Sequence, residues 1–138
     1  MKQKLKRRLV DIFKKRKIDF AYLFGSQAKG KTGPLSDIYI AVYFGEKISS
    51  NKRFDARMKL LGELTDLFKT NEVDLVVLND TPPLLSDRIL KDGLLIFSNN
   101  DKIRLDYEVK TTLKYLDWKP YLTKYTEEIF GRTATNGR

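Results

Sequence analysis

Four short apolar runs constrain the fold of this chain more than any other feature. They fall at residues 20–24, 37–44, 72–78 and 94–97. Each is too short for a buried helix, and glycine or polar residues bound it, so each reads as a strand. The third run is dense in valine and leucine and is expected to be central. Between the runs, apolar residues recur at helical spacing. Residues 2–17 place Leu5, Leu9, Ile12 and Phe13 on one face and a basic surface on the other. Residues 52–69 form a second helix, with Phe54, Met58, Leu61 and Phe68 expected to face inward. Pro82 and Pro83 stand where a third helix starts, and Asp92-Gly93 where it stops. Residues 101–130 read mostly as helix, with a Leu105, Val109, Leu113 and Leu116 stripe, an aromatic flank (Tyr107, Tyr115, Trp118, Tyr121, Tyr125) and a break or kink at Pro120. The order predicts an α/β (α+β) chain: a small mixed sheet backed by helices, ending in a long helical segment. A length of 138 residues suits one domain, placed at residues 1–130, with a disordered tail at 131–138.

The chain has no cysteine and no histidine, so any bound metal is expected on oxygen ligands. No run approaches a membrane span, and no apolar signal core is seen, which makes the cytoplasm the expected compartment. A net charge of +9 favours polyanionic partners such as nucleotides, nucleic acid or an acidic protein. The plainer reading of the basic first helix is a solvated face.

Chemistry concentrates where the first strand ends, at Gly25-Ser26. Backbone N–H groups left unpaired at such a turn, together with a helix dipole, suit a phosphate. Gly25 lets a ligand approach the backbone closely, Ser26 offers a hydroxyl, and Lys29 and Lys31 add positive charge. Alone, a glycine-serine turn is more often an ordinary loop. Two acids strengthen it: Asp37 opens the second strand, and Asp74 interrupts the third apolar run. Burying an unpaired carboxylate is costly, so Asp74 should face a cation, a donor or a cleft. Together Asp37 and Asp74 suggest a Mg²⁺ site completed by substrate phosphates. Alternatively, Asp37 caps the turn and Asp74 pairs with a lysine.

These residues resemble the minimal nucleotidyltransferases of the polymerase-β superfamily, many of which are antitoxins paired with a HEPN-domain ribonuclease toxin. The pattern there is Gly-Ser, ten residues, Asp-x-Asp, and a third acid on a later strand. Here Gly25-Ser26 precedes residues 27–36 and then Asp37-Ile38-Tyr39, and Asp74 matches the third acid. The likeness extends to Arg104-Leu105-Asp106-Tyr107-Glu108 and Tyr115-Leu116-Asp117. It implies a nucleotidyltransferase fold and metal-dependent transfer of AMP from ATP to a tyrosine hydroxyl of the toxin. Gly25 and Ser26 would grip the triphosphate, Asp37 and the residue at 39 would hold Mg²⁺, and Asp74 would help activate the attacking hydroxyl. Two metals in such a site stabilise the entering and leaving oxygens.

Position 39 departs from the pattern. Strand alternation sets residues 37 and 39 on one face, so Tyr39 occupies the second aspartate's place. A phenol titrates near 10, about 6 units above aspartate, and is a poor magnesium ligand. Weak or absent transfer is therefore expected. The chain is then a non-catalytic member, a variant made inactive, or one in which Glu46, Glu72 or Asp80 substitutes; Tyr39 as simple core packing is the bland alternative. Other functions compete: a contact-only binding module, a homodimer with an aromatic seam, a nucleic-acid binder, or a small-molecule transferase.

Overall fold

The computed structural model describes residues 3–25 and 38–136, with side chains described up to residue 117 and at 119–121 and 124. Helix α1 (Gln3–Lys15) leads into β1 (Ile18–Phe24), followed by β2 (Ile38–Phe44). A short 3-10 turn then enters α2 (Arg53–Phe68), β3 (Val73–Val77) follows, and a second 3-10 turn leads to α3 (Pro83–Asp92). Strand β4 (Leu94–Ser98) and helix α4 (Asp101–Asn136) complete the order. The sheet runs β3-β2-β1-β4, antiparallel except for the parallel β2–β3 pair. The mixed sheet backed by helices is thus the architecture expected.

Strand alternation divides the core into two layers. On β2, Ile40, Val42 and Phe44 join Leu9, Phe13, Leu60 and Leu64 beneath α1 and α2. Ala41 and half-buried Tyr43 point the other way, with Phe20, Tyr22, Leu78 and Ile89 beneath α3 and α4. A register shift between Ile18 and Phe20 on β1 adds one residue to that strand. The bulge lets Ile18 serve the first layer and Phe20 the second, although two residues apart they would otherwise share a face.

Several expectations need correction. Strand β3 lies at an edge, not the centre. Its apolar density comes from one fully covered face, Val73, Leu75 and Val77, with Val76 partly covered on the other, and Arg57 Nε donates to the Leu75 carbonyl at 3.1 Å, occupying part of the bare edge. On α2 the inward ridge is Leu60, Leu64 and Leu67, while Phe54 is 74% and Met58 46% exposed. Leu61 and Phe68 pack against the core only at its margin. Both ridges have helical spacing, so periodicity alone did not choose between them.

Pro83 opens α3 at its first turn as expected. Gly93 closes it, its N–H donating to the Ile89 carbonyl at 2.7 Å. Its φ of −80° is ordinary, so glycine is required there because a Cβ would strike that same carbonyl oxygen. Helix α4 continues through Pro120, without the break the sequence allowed there, and spans Asp101–Asn136. The sequence left its inward face open: Tyr107 packs against the second layer, while Leu105, Val109, Leu113, Leu116 and Tyr121 are exposed. Among the described residues, no helix is long and apolar enough to cross a membrane.

Candidate functional site

Three strands bring Phe24, Tyr39 and Asp74 into one row. Phe24 is paired with Tyr39 across β1–β2, and Tyr39 with Asp74 across β2–β3. Directly paired residues share a face, so all three side chains emerge on the side covered elsewhere by α3 and α4. The row lies beyond that cover: Phe24 and Tyr39 are half-buried and Asp74 is exposed. The sheet thus brings Gly25, Tyr39 and Asp74 to one end. Ser26, Lys29 and Asp37, assigned from sequence to the triphosphate and the metal, lie outside the described residues.

Gly25 ends β1 with φ +85°, a left-handed conformation that glycine adopts without steric cost. A Cβ built there would sit 2.7 Å from Tyr39 Cδ2. The Tyr39 ring thus lies against the bare face of the glycine turn, with the Phe24 ring 5.4 Å away at a tilt of 41°. This contact gives the packing view of Tyr39 a concrete form. It also places a neutral phenol ring beside the turn, at the position where the resemblance calls for a carboxylate.

Asp74 behaves as the cost of burial requires. Among the described residues it has no ion-pair partner, so the alternative lysine pairing is not made there, and its carboxylate opens to solvent at the row's end. Of the three substitute acids, two are at the far end of the sheet. Glu46 follows β2 and lines a cleft beside Asp19, and Asp80 is held by Arg53 through bonds of 2.9 and 2.8 Å. That guanidinium lowers the Asp80 pKa. Glu72 alone sits at the site end, where its carbonyl accepts from the Ile38 N–H at 2.8 Å. The donor set fits a magnesium ion only in part: Asp74 offers an oxygen, Tyr39 is a weak ligand, and no cluster of three acids occurs among the described residues.

A clamp that sequence reasoning missed holds α4 against β1. The Tyr22 hydroxyl donates to Glu108 Oε2 at 2.7 Å, and Arg104 Nη1 donates to Glu108 Oε1 at 3.0 Å. Burial and this carboxylate push the Tyr22 phenol well above its usual range. Tyr107 adds a hydroxyl bond to the Leu78 carbonyl at 3.0 Å. The signal was present as Arg104 and Glu108 at i, i+4 spacing, but nothing in sequence names Tyr22 as the third member.

Comparison with known proteins bears on this geometry. Residues 7–102 match the family described as polymerase beta, nucleotidyltransferase. A candidate protein adenylyltransferase of Methanocaldococcus jannaschii is 36% identical over 90 residues, covering 65% of this chain and 91% of that protein. The protein adenylyltransferase MntA of Shewanella oneidensis is 26% identical over 118 residues, covering 86% of this chain and 81% of that one. Among solved structures, a chain of a toxin–antitoxin complex with AMP-PNP superposes with a TM-score of 0.76 at 23% identity, covering 91% of this chain and 98% of that chain. A chain from the complex of tri-AMPylated Shewanella oneidensis HEPN toxin with MNT antitoxin gives 0.71 at 21% identity, covering 95% and 100%.

Proposed function

The chain belongs to the polymerase beta nucleotidyltransferase family, and we propose that it is an antitoxin that binds Mg·ATP at the Gly25 end of the sheet, with AMP transfer to a tyrosine of a HEPN ribonuclease toxin weakened by Tyr39. The observation that carries this is the row Phe24, Tyr39 and Asp74 beside a left-handed Gly25. The names of the relatives support the reaction and the partner.

In this reading, Gly25 admits the triphosphate to the backbone, Ser26 donates its hydroxyl to a phosphate oxygen, and Lys29 adds charge. Asp37 and Asp74 would hold the magnesium, which supplies charge neutralisation at the phosphates when bound. Asp74 also orients the acceptor hydroxyl and draws off its proton. The hydroxyl oxygen bonds to the α-phosphorus as the α–β bridging bond breaks, and pyrophosphate leaves. Tyr39 provides neither a carboxylate nor space beside the turn. Its ring against Gly25 favours one runner-up reading, an antitoxin that binds nucleotide or toxin and neutralises by contact alone.

The test is incubation of this chain and its Tyr39→Asp variant with α-labelled ATP, magnesium and a HEPN-type toxin. Label on the partner with the variant, and little or none with Tyr39, is the expected result. Equal labelling by both contradicts the role given to Tyr39. No labelling by either, with the partner still inhibited, selects the contact reading.

A further inference from the structure

Helix α4 carries an apolar seam that the molecule leaves uncovered. Leu105, Val109 and Leu116 are 52, 58 and 53% exposed, with Leu113 alongside at 56%. With Thr112 they follow the spacing 105, 109, 112, 116, the alternating four and three of a helix-pairing seam. The opposite side of α4 is already used, through Arg104, Tyr107, Glu108 and the buried Thr111. Four large apolar residues on one side of a helix that has already spent its other side on the core call for a second partner.

From this we infer that the seam is the docking face for one α-helix of the toxin partner; the identity of that partner rests on the function proposed above. Charge argues against a second copy of this chain. Exposed Lys102 and Lys119 close the two ends of the seam. Antiparallel self-pairing that sets Leu105 against Leu116 also sets Lys102 against the Lys119 of the second copy. Parallel pairing in register sets each lysine against its own counterpart. Both arrangements place like charges together at both ends, so the seam suits a helix with an apolar centre and carboxylates at its ends. Position favours the acceptor protein as well. The Tyr115 ring lies 4.7 Å from Lys91 Nζ near the end of α3, and Leu94, just beyond, pairs with Leu23. The C-terminal half of the seam therefore reaches the end of β1 that carries Gly25.

The experiment uses the full chain and a HEPN-type toxin. Affinity is measured by sedimentation and by calorimetry for wild type, Val109→Glu, Leu116→Glu, the paired charge reversal Lys102→Glu/Lys119→Glu, and Phe54→Glu on α2 as an exposed control. Thermal melts monitor folding, and Mg·ATP titration monitors the nucleotide site separately. Val109→Glu and Leu116→Glu are expected to weaken partner binding about tenfold or more, with melting and ATP binding unchanged. The charge reversal weakens it less and more so at low salt, and Phe54→Glu leaves it unchanged. Partner binding at wild-type strength by both seam glutamates overturns the inference, as does a wild-type dimer that Val109→Glu renders monomeric. If the seam variants lose the partner while no form binds ATP, the docking face stands and the nucleotide reading falls.

Discussion

Replacing Gly25 by alanine tests the geometry of the site most sharply. Two costs are separable there. An L-residue in the left-handed region costs about 1–2 kcal/mol, and φ at Gly25 is +85°. The added Cβ would also meet Tyr39 Cδ2 at 2.7 Å, against an ordinary contact of 3.4–4 Å. Overpacking of this kind costs about 1–3 kcal/mol, and the low end applies because Tyr39 is only half-buried and its ring can shift. Gly25→Ala should therefore destabilise by about 2–3 kcal/mol, summing the backbone and contact costs. In a Tyr39→Ala background the contact cost vanishes and about 1–2 kcal/mol remains. Urea unfolding of the four proteins gives a coupling energy of about 1 kcal/mol if the ring lies on the turn. Identical costs in both backgrounds would refute the placement of Tyr39, and a negligible cost in both would refute the left-handed turn.

Other predictions concern the frame around the site. Leu64→Ala should cost about 2–4 kcal/mol as a buried deletion, while Phe54→Ser changes stability by under about 0.5 kcal/mol; chemical denaturation checks that α2 faces as described. Tyr22→Phe removes a bond to a charged acceptor and should cost about 1–2 kcal/mol. Because folding raises the Tyr22 pKa, chiefly by burial, its contribution is complete below the usual tyrosine value and fades as pH rises above it. Melting curves should thus fall less steeply at alkaline pH for Tyr22→Phe than for wild type. Asp80 is shifted the other way by its hydrogen bonds from Arg53, so its contribution holds above the usual aspartate value and fades as acid protonates it. Arg53→Ala should flatten the acid limb by about 0.5–1 kcal/mol, a discount for the half-exposed carboxylate.

Particular residues show how far the sequence could be read. The alternation on β2 was legible because every second residue is β-branched or aromatic and both faces are covered. Strand phase alone set Tyr39 on the face of position 37; its place beside Asp74 needed the strand pairing, which the structure supplies. The phase of α2 was hidden because Phe54-Met58-Leu61 and Leu60-Leu64-Leu67 have the same spacing. Arg57, reaching the Leu75 carbonyl, fixes a choice that no local pattern encodes. The facing of α4 has a similar cause. Tyr107 faces inward because the second layer offers Phe20 and Tyr43 rings 5.5 and 5.1 Å away and the Leu78 carbonyl as an acceptor. Its leucine stripe is left outside by that preference. The edge position of β3 was equally hidden, since strand order depends on where β4 inserts, beside β1.

The claim at the centre of this account is that the Gly25 end of the sheet holds a nucleotide with Asp74 at its rim. Calorimetric titration of Mg·ATP into wild type and Asp74→Asn, in parallel, tests it most directly. Saturable 1:1 binding by wild type, with clear weakening in Asp74→Asn and unchanged thermal stability, is the predicted result. Absence of binding by wild type, or equal binding by both, would contradict it.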